Sequence, residues 1–283
     1  MIRLAVRCRP EQGEAVLAEL LELAPGGVEE AAGPGWIEYA IYGAEGELPD
    51  LGSVEAAARG GRIEVRSETV PDDWGDRWRD FHEPTVIASG RVVIRPSWRQ
   101  SPAPSSDLVG APEPTSIDVV VDPGQAFGTG AHPTTRMCVE LLVAMADAGR
   151  ARGALLDLGT GSGVLAIVAA KLGFAPVRGL DLERPALEAA AENARVNGIE
   201  LAVERANLRE EAPPGTPTIV ANLTAPLLRE VASRFPAECR SLVCSGLLAR
   251  EAAEVEEAVA KAGMAPRKRR DSGDWSALLL ERG

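Results

Sequence analysis

The sequence is short of the residues that build metal centres and disulfide frameworks. Its 283 residues include only four cysteines and two histidines. His82 and His132 lie far apart and no C-x-x-C pair occurs, whereas the common zinc sites need closely spaced ligands. We therefore expect no metal site and a reduced protein of the cytoplasm. The cysteines are Cys8, Cys138, Cys239 and Cys244.

Positive charge is scarce too. Lysine and arginine number 30 against 42 aspartates and glutamates, which gives a formal net charge of −12. A nucleic-acid groove needs clustered Lys and Arg to neutralise phosphates, so we expect no direct nucleic-acid partner. An acidic surface suits a basic protein partner by electrostatic steering, although acidity also serves solubility alone.

Long apolar runs are missing as well. No run approaches the roughly 20 residues of a membrane-spanning helix. Residues 2–8 alternate as a strand does and lack the apolar core of a signal peptide. We expect no membrane partner. The length is enough for one large and one small domain.

Against these absences stands a glycine-rich loop. Gly159, Gly161 and Gly163 follow an apolar strand and precede an apolar helix that begins at Val164. Glycine adopts positive φ and lets a ligand approach the backbone. A strand, glycine loop and helix in this order predict a binding crevice at the carboxyl edge of an open α/β sheet. The alternative is a turn that only closes a βα unit.

The next strand ends in Asp181, 18 residues after Gly163. That is close to the spacing at which an acidic side chain binds a ribose, so an adenosine-containing ligand is indicated. The spacing G-x-G-x-G differs from the dinucleotide fingerprint, and a pyrophosphate needs helix N–H groups aimed at it. S-adenosylmethionine carries no phosphate, and Asp157 could hold its ammonium group.

The first 70 residues predict a small α+β domain. Strands at 2–8, 36–42 and 62–70 and helices at 11–24 and 53–59 suggest a βαββαβ, ferredoxin-like unit. Residues 71–116 then form an interdomain segment. It contains a helix with Trp74 and Trp78 on one face, which we interpret as packing between domains, a strand at 91–95 and a proline-rich loop at 101–116.

Residues 117–283 alternate between strands and helices. Such alternation predicts a doubly wound, mostly parallel, seven-stranded α/β sheet with helices on both faces. Residues 265–270 and 275–281 are predicted to end it as an antiparallel hairpin. The other predicted elements are helices at 133–148, 162–172, 184–197, 226–234 and 249–262, and strands at 117–121, 153–158, 176–181, 199–204, 217–222 and 240–245.

A second glycine-rich segment runs from Asp122 to Thr135. Phe127 stands at its centre, and the glycines around it could act as hinges of a lid over the ligand. Thr135 could bind the ligand's carboxylate at a helix N-terminus, while Thr134 has an N-cap as its rival interpretation. His132 is a candidate general base, although a structural hydrogen bond is the alternative for a lone histidine beside proline.

The buried strand at 217–222 ends in Asn222. This end should lie beside the first glycine loop, on the carboxyl edge of the sheet. A carboxamide offers one acceptor and two donors, so Asn222 could orient an amine nucleophile or contact the amino acid part of the ligand. The alternative is a cap of the helix that follows Pro226.

Together these stretches resemble a class I methyltransferase, and more narrowly the bacterial, PrmA-like ribosomal protein methyltransferase family. The resemblance spans residues 72–283. It is carried by the segment from Asp122 to Thr135, by Asp157-Leu-Gly-Thr-Gly-Ser-Gly163, by Gly179-Leu-Asp181 and by Val220-Ala-Asn-Leu-Thr-Ala225.

The resemblance implies an enzyme that transfers methyl groups from S-adenosylmethionine to Lys side chains and the N-terminal amine of the eleventh large-subunit ribosomal protein. It implies that the small N-terminal domain binds this basic protein. We expect a monomer with Asn222, Phe127 and His132 as catalytic residues. The cofactor-binding residues would be Thr135, Asp157, Gly159, Gly161, Gly163, Asp181 and Asn222.

Three rival functions remain at this stage. The first is a protein lysine or small-molecule N-methyltransferase with a different acceptor. The second is a non-catalytic binding module that kept the fold, which the intact glycine loop and Asp181 disfavour. The third is a nicotinamide-dependent oxidoreductase, which the glycine spacing disfavours.

Overall fold

The computed structural model describes residues 2–23, 28–43, 63–69, 83–102, 116–122 and 130–283. The chain divides into two compact units. One comprises residues 1–82 and 124–127, and the other comprises residues 83–123 and 128–283. The predicted helix at 53–59, the helix that carries Trp74 and Trp78, and residues 103–115 of the predicted proline-rich loop lie outside the described residues.

The first unit contains an antiparallel four-stranded sheet in the order β2-β3-β1-β4. Because β1 lies between β3 and β4, and β3 between β2 and β1, the order is the ferredoxin-like one predicted from the sequence. Its elements are β1 (Ile2–Cys8), α1 (Pro10–Leu23), β2 (Glu29–Gly33), β3 (Trp36–Gly43) and β4 (Glu64–Thr69).

The two faces of this sheet differ as the alternation of β1 requires. Apolar side chains on one face form a core with α1, namely Leu4, Val6, Cys8, Val16, Leu20, Tyr39 and Ile41. On the other face Glu38, only 8% exposed, accepts hydrogen bonds from Arg3 Nη2 and Arg7 Nε, each at 2.9 Å. The Arg7 guanidinium also lies 4.0 Å from the ring centroid of Trp36.

The sequence patterns did not predict β2. Its residues are mostly Glu and Ala rather than the β-branched and aromatic types that favour strands, and its described pairing is with β3. The turn signal was nevertheless present. Pro34 and Gly35 join the two strands, and Gly35 has φ +77°.

A three-stranded sheet opens the second unit. It consists of β5 (Thr85–Ile87), β6 (Val92–Arg95) and β7 (Ile117–Val120), with β5 antiparallel and β7 parallel to β6. The strands β6 and β7 were predicted, whereas the three-residue β5 was not. Arg95 and Asp118 join β6 to β7 through a two-bond ion pair, at 2.9 and 2.7 Å.

The main sheet has seven strands in the order β10-β9-β8-β11-β12-β14-β13. The first five run parallel, and β14 is antiparallel to both β12 and β13, so the doubly wound sheet and the terminal hairpin are confirmed. The strands are β8 (Leu155–Leu158), β9 (Val177–Asp181), β10 (Leu201–Arg205), β11 (Thr218–Asn222), β12 (Ser241–Leu248), β13 (Met264–Ser272) and β14 (Trp275–Arg282).

Helices cover the main sheet, and two apolar cores flank it. One core includes residues of α2 and α3, and the other includes residues of α5 and α6. Central strands are buried on both faces and read as continuous apolar runs, as in Ile219, Val220 and Ala221 of β11. The helices are α2 (Pro133–Asp147), α3 (Val164–Leu172), α4 (Arg184–Val196), α5 (Ala225–Ala232) and α6 (Ala252–Ala260).

Strand β12 runs three residues further than predicted. Its pairing with β14 resumes after a bulge between Cys244 and Leu247. Gly246 lies in the bulge with φ +84°. A Cβ atom at this position would collide with the backbone of Leu223, which follows β11. Only glycine therefore allows β12 and the residue after β11 to approach this closely.

Candidate functional site: a crevice at the carboxyl edge of the sheet

The first glycine loop connects β8 to α3 at the carboxyl edge of the sheet. Gly159, Gly161 and Gly163 have φ values of +67°, +54° and +79°, which explains why glycine occupies all three positions. The loop is fixed by its own hydrogen bonds. The Thr160 N–H donates to Leu180 O at 2.9 Å, and the Gly163 N–H donates to Thr160 O at 2.8 Å.

Asp181 ends β9 and faces this loop. Its Oδ2 accepts the Gly161 N–H at 2.9 Å, and its Oδ1 accepts the Glu183 N–H at 3.0 Å. Two backbone donors therefore orient the carboxylate. Each oxygen keeps a second lone pair for a ligand hydroxyl, as a ribose would offer.

Asp157 lies beneath the loop and is 1% exposed. Its Oδ2 accepts hydrogen bonds from Thr160 Oγ1 at 2.9 Å and from the Ala166 N–H at 3.2 Å. Its Oδ1 is buried and has no hydrogen-bond partner among the described residues. Burial, with a smaller contribution from the charge of the nearby Asp181, raises the pKa of Asp157 to about 7 despite the hydrogen bonds from Thr160 and Ala166, which lower it. A buried carboxylate oxygen that lacks a partner suits a cationic ligand group.

Asn222 and Thr135 meet from two different elements. Asn222 ends β11, Thr135 is buried in the first turn of α2, and Asn222 Nδ2 approaches Thr135 Oγ1 at 3.4 Å. The N-cap of α5 is Thr224, so Asn222 is not the cap that was its alternative interpretation. Leu223 borders the glycine loop, since a Cβ on Gly159 would lie 2.5 Å from its Cδ2.

His132 is the N-cap of α2, a position that the sequence had suggested for Thr134. Its Nδ1 lies 2.7 Å from Thr134 Oγ1 and 3.4 Å from the Thr134 backbone nitrogen. The ring packs edge-on against Trp275 at 5.0 Å. Burial lowers the pKa of His132. This geometry favours the structural interpretation, and the catalytic role of His132 stays a prediction.

One candidate lies outside the described residues, and one residue at the site was not anticipated. Phe127 belongs to the stretch 123–129, which the structure does not describe. Asn207 follows β10, and its neighbour Ala206 donates from its backbone N–H to Asp181 O at 2.9 Å. Asn222 is the last residue of β11, whereas Asn207 lies two residues beyond β10 and its Oδ1 accepts the Arg209 N–H at 3.1 Å.

Two kinds of site are not found in the described part of the chain. No cluster of three or more His, Cys, Asp or Glu side chains there could hold a metal ion. No helix among those residues is both long and apolar enough to cross a bilayer.

Comparison with known proteins gives a consistent family. Residues 47–283 match the model of a family described as ribosomal protein L11 methyltransferase (PrmA). A ribosomal protein L11 methyltransferase of Symbiobacterium thermophilum is 32% identical over 92% of this chain and 84% of its own length. One from Shewanella amazonensis is 37% identical over 76% of this chain and 67% of its own.

Solved structures agree with the sequences. The crystal structure of a ribosomal protein L11 methylase from Lactobacillus delbrueckii subsp. bulgaricus superimposes with a TM-score of 0.56 at 28% identity. The match covers 70% of this chain and 98% of that one.

Proposed function

Because the chain belongs to the ribosomal protein L11 methyltransferase family, we propose that it is an S-adenosylmethionine-dependent methyltransferase whose acceptors are Lys side chains and the N-terminal amine of ribosomal protein L11. The single observation that carries this proposal is the crevice at the ends of β8, β9 and β11. There a glycine loop, two carboxylates and an asparagine converge.

The residues of the crevice fit S-adenosylmethionine. The unpartnered Oδ1 of Asp157 suits the ammonium group of the ligand. Asp181 suits the ribose hydroxyls. Thr135 lies at a helix N-terminus, where a carboxylate is favoured. Gly159, Gly161 and Gly163 let the ligand approach the backbone.

S-adenosylmethionine supplies an electrophilic methyl group next to a positively charged sulfur. The chain must present a neutral amine to it, and a free Lys has a pKa near 10.4, so the amine has to lose a proton first. Desolvation in the crevice and the nearby positive charge both favour the neutral amine. Water can accept that proton, so the proposal needs no dedicated base and no catalytic role for His132.

Asn222 is the residue placed to hold the amine. Its Nδ2 points to Thr135, which leaves its carbonyl oxygen to accept a hydrogen bond from an incoming amine. The rate gain would come from alignment of the nitrogen with the methyl carbon, at about 3–3.5 Å. Phe127 is proposed to close over the reacting groups from the second glycine-rich segment.

The N-terminal unit is proposed to bind the ribosomal protein, and the net charge of −12 supports attraction of a basic substrate. We propose a cytoplasmic monomer that binds neither nucleic acid nor membrane. The alternative function is N-methylation of another amine, in a different protein or in a small molecule.

The acceptor is tested by incubation of the protein with purified L11 and isotope-labelled S-adenosylmethionine, followed by mass spectrometry of L11 peptides. We expect label on Lys side chains and on the N-terminal amine. A second incubation with total ribosomal proteins includes the other acceptors. Label on other proteins and none on L11 would overturn the acceptor and retain the chemistry.

Asn222→Ala tests the mechanism, with Asn207→Ala as its matched control. Both variants remove a carboxamide at or near the end of a strand of the main sheet, but that of Asn207 accepts the Arg209 N–H at 3.1 Å within its own loop. We expect Asn222→Ala to lower kcat by about 100-fold, the order of a lost transition-state contact. Asn207→Ala should instead leave both kcat and the Kd for S-adenosylhomocysteine within about two-fold of the wild-type values. Equal kcat in Asn222→Ala and the wild type would remove Asn222 from the mechanism.

A further inference from the structure

Two asparagines of α4 make hydrogen bonds outside their own helix, one to the glycine loop and one to β7. Asn193 is buried at 7% exposure, and its Nδ2 donates to the carbonyl of Ser162 in the glycine loop at 2.8 Å. Asn197 is the C-cap of α4 and contacts β7. Neither contact follows from the glycine-loop motif, because both depend on where α4 packs.

The Asn197 side chain pairs with the backbone of Val120 as a neighbouring strand residue would. Its Oδ1 accepts the Val120 N–H at 2.9 Å, and its Nδ2 donates to Val120 O at 2.6 Å. The same Nδ2 donates to Asn193 O at 2.8 Å. Asn197 therefore joins the end of β7 to the backbone of Asn193. The side chain of Asn193 in turn holds the glycine loop.

Val120 stands two residues before Asp122, where the second glycine-rich segment of the sequence begins. Asp122 is itself fixed, because its carboxylate accepts from the Ser97 backbone N–H at 2.6 Å and from Ser97 Oγ at 2.9 Å. Helix α4 thus holds the loop at 159–163 through Asn193 and the end of β7 through Asn197, while Ser97 holds Asp122.

We propose that Asn193 and Asn197 are positioning residues that preorganise the crevice for its nucleoside ligand. This inference rests on the proposed function. Without Asn193 the Ser162 carbonyl is a buried acceptor that has lost this donor, so the peptide unit between Ser162 and Gly163 gains alternative orientations. The measured ligand affinity then falls in proportion to the fraction of molecules whose loop keeps the conformation that binds the ligand. The geometry of the ligand-bound site is unchanged.

The test compares Asn193→Asp with the wild-type protein. Aspartate keeps the shape of asparagine and removes the donor to Ser162. By calorimetry we expect the Kd for S-adenosylhomocysteine to rise about 10-fold. The KM for S-adenosylmethionine should rise by the same factor, with kcat within two-fold of the wild-type value. Asn197→Asp keeps the acceptor for the Val120 N–H and should raise the Kd by about 3-fold.

A second readout needs no ligand. In the unliganded protein, amide hydrogen exchange of residues 159–167 should accelerate about 10-fold in Asn193→Asp, while exchange in β12 and β14 stays as in the wild type. If Asn193→Asp does not fold, Asn193→Ser replaces it, since the short hydroxyl removes the amide donor without adding a charge.

Two controls separate positioning from general stability. Val259→Ala removes buried methyl groups from α6, in the core that does not include α3, and should lower Tm without changing the Kd. Glu192→Gln alters only the exposed pair with Arg195 on α4 and should change neither. An unchanged Kd in folded Asn193→Asp, or a Kd that follows Tm in every variant, overturns the inference. A wild-type protein that binds no S-adenosylhomocysteine overturns the proposed function together with it.

Discussion

Two buried carboxyl groups, one in each compact unit, have opposite surroundings. Glu38 in the N-terminal sheet receives hydrogen bonds from two arginines. Burial raises its pKa, but the hydrogen bonds and charges of Arg3 and Arg7 outweigh burial and hold the pKa below its usual value. Asp157 in the main sheet has a hydroxyl and a backbone N–H as partners but no cation, and burial raises its pKa to about 7.

This difference in hydrogen-bond partners distinguishes a carboxylate with a structural role from a carboxylate that is suited to bind a ligand. The charges of Glu38, Arg3 and Arg7 are balanced within the protein, so this cluster contributes to folding and needs no ligand. Asp157 keeps a buried oxygen that has no hydrogen-bond partner among the described residues, which costs stability in the unliganded protein. That cost is acceptable where a cationic ligand offsets it.

The largest predicted contrast is in the response to pH. Between about 3.9, the pKa of an unfolded Asp, and about 7, folded Asp157 binds a proton that the unfolded chain has released. Its contribution to stability therefore falls as pH rises through this window, by up to about 4 kcal/mol. Glu38 has the opposite sign: its contribution is present above the ordinary Glu pKa and is lost as pH falls through its lowered one.

Urea unfolding from pH 4.5 to pH 8 measures this contrast. The stability of Asp157→Asn relative to the wild type should increase with pH up to about 7 and then level off. A constant difference across the range would mean that Asp157 is ionised throughout.

Ligand affinity should separate the two carboxyl groups next. Asp157→Asn replaces the carboxylate by a neutral group of the same shape, so the charge-assisted contact with the ligand ammonium is lost. We expect the Kd for S-adenosylhomocysteine, measured by calorimetry at pH 8, to rise about 100-fold, the upper range for one hydrogen bond to a charged group. A rise below three-fold would show that the ammonium binds elsewhere.

Removal of the Glu38 charge should affect folding alone. Glu38→Gln removes the carboxylate that pairs with both Arg3 and Arg7, and Arg3 keeps only its longer ion pair with Glu29, at 3.7 Å, among the pairs of the described residues. We expect a loss of about 2 kcal/mol in the free energy of urea unfolding, less than for a fully buried pair because Arg3 and Arg7 are partly exposed. The Kd for S-adenosylhomocysteine should not change. A variant as stable as the wild type would place Glu38 among ordinary surface pairs.

The smallest effect is expected at a third carboxylate. Glu192 lies on the exposed side of α4, and its ion pair with Arg195 is solvated. Glu192→Gln should leave Tm unchanged within the error of differential scanning calorimetry. A measurable drop would indicate that exposed pairs matter more in this protein than its burial pattern suggests.

Much of the crevice could be predicted because its signals are local. The positive φ values of Gly159, Gly161 and Gly163 and the position of Asp181 at a strand end follow from spacing along the chain. The parallel topology then brings Asn222 to the same edge. The apolar runs of the central strands likewise indicated their burial on both faces.

The remaining features depend on tertiary position. Asn193 looks like one more polar residue of a helix until α4 packs against the glycine loop. His132 is the N-cap of α2, with its Nδ1 close to Thr134 and its ring against Trp275, a position for which the sequence offered Thr134 as one interpretation. Strand β2 is formed by an edge position and a turn rather than by the propensity of its Glu and Ala residues.

Leu223 is confined from two directions, by Gly159 in the glycine loop and by Gly246 in the bulge of β12. Leu223 therefore fills the space between these two glycines and sets their separation. One added methyl group at position 246, almost ninety residues beyond the recognisable motif, would transmit its displacement through Leu223 to the mouth of the crevice. We therefore expect variants at Gly246 to impair ligand binding, an effect that the glycine-loop motif alone would not predict.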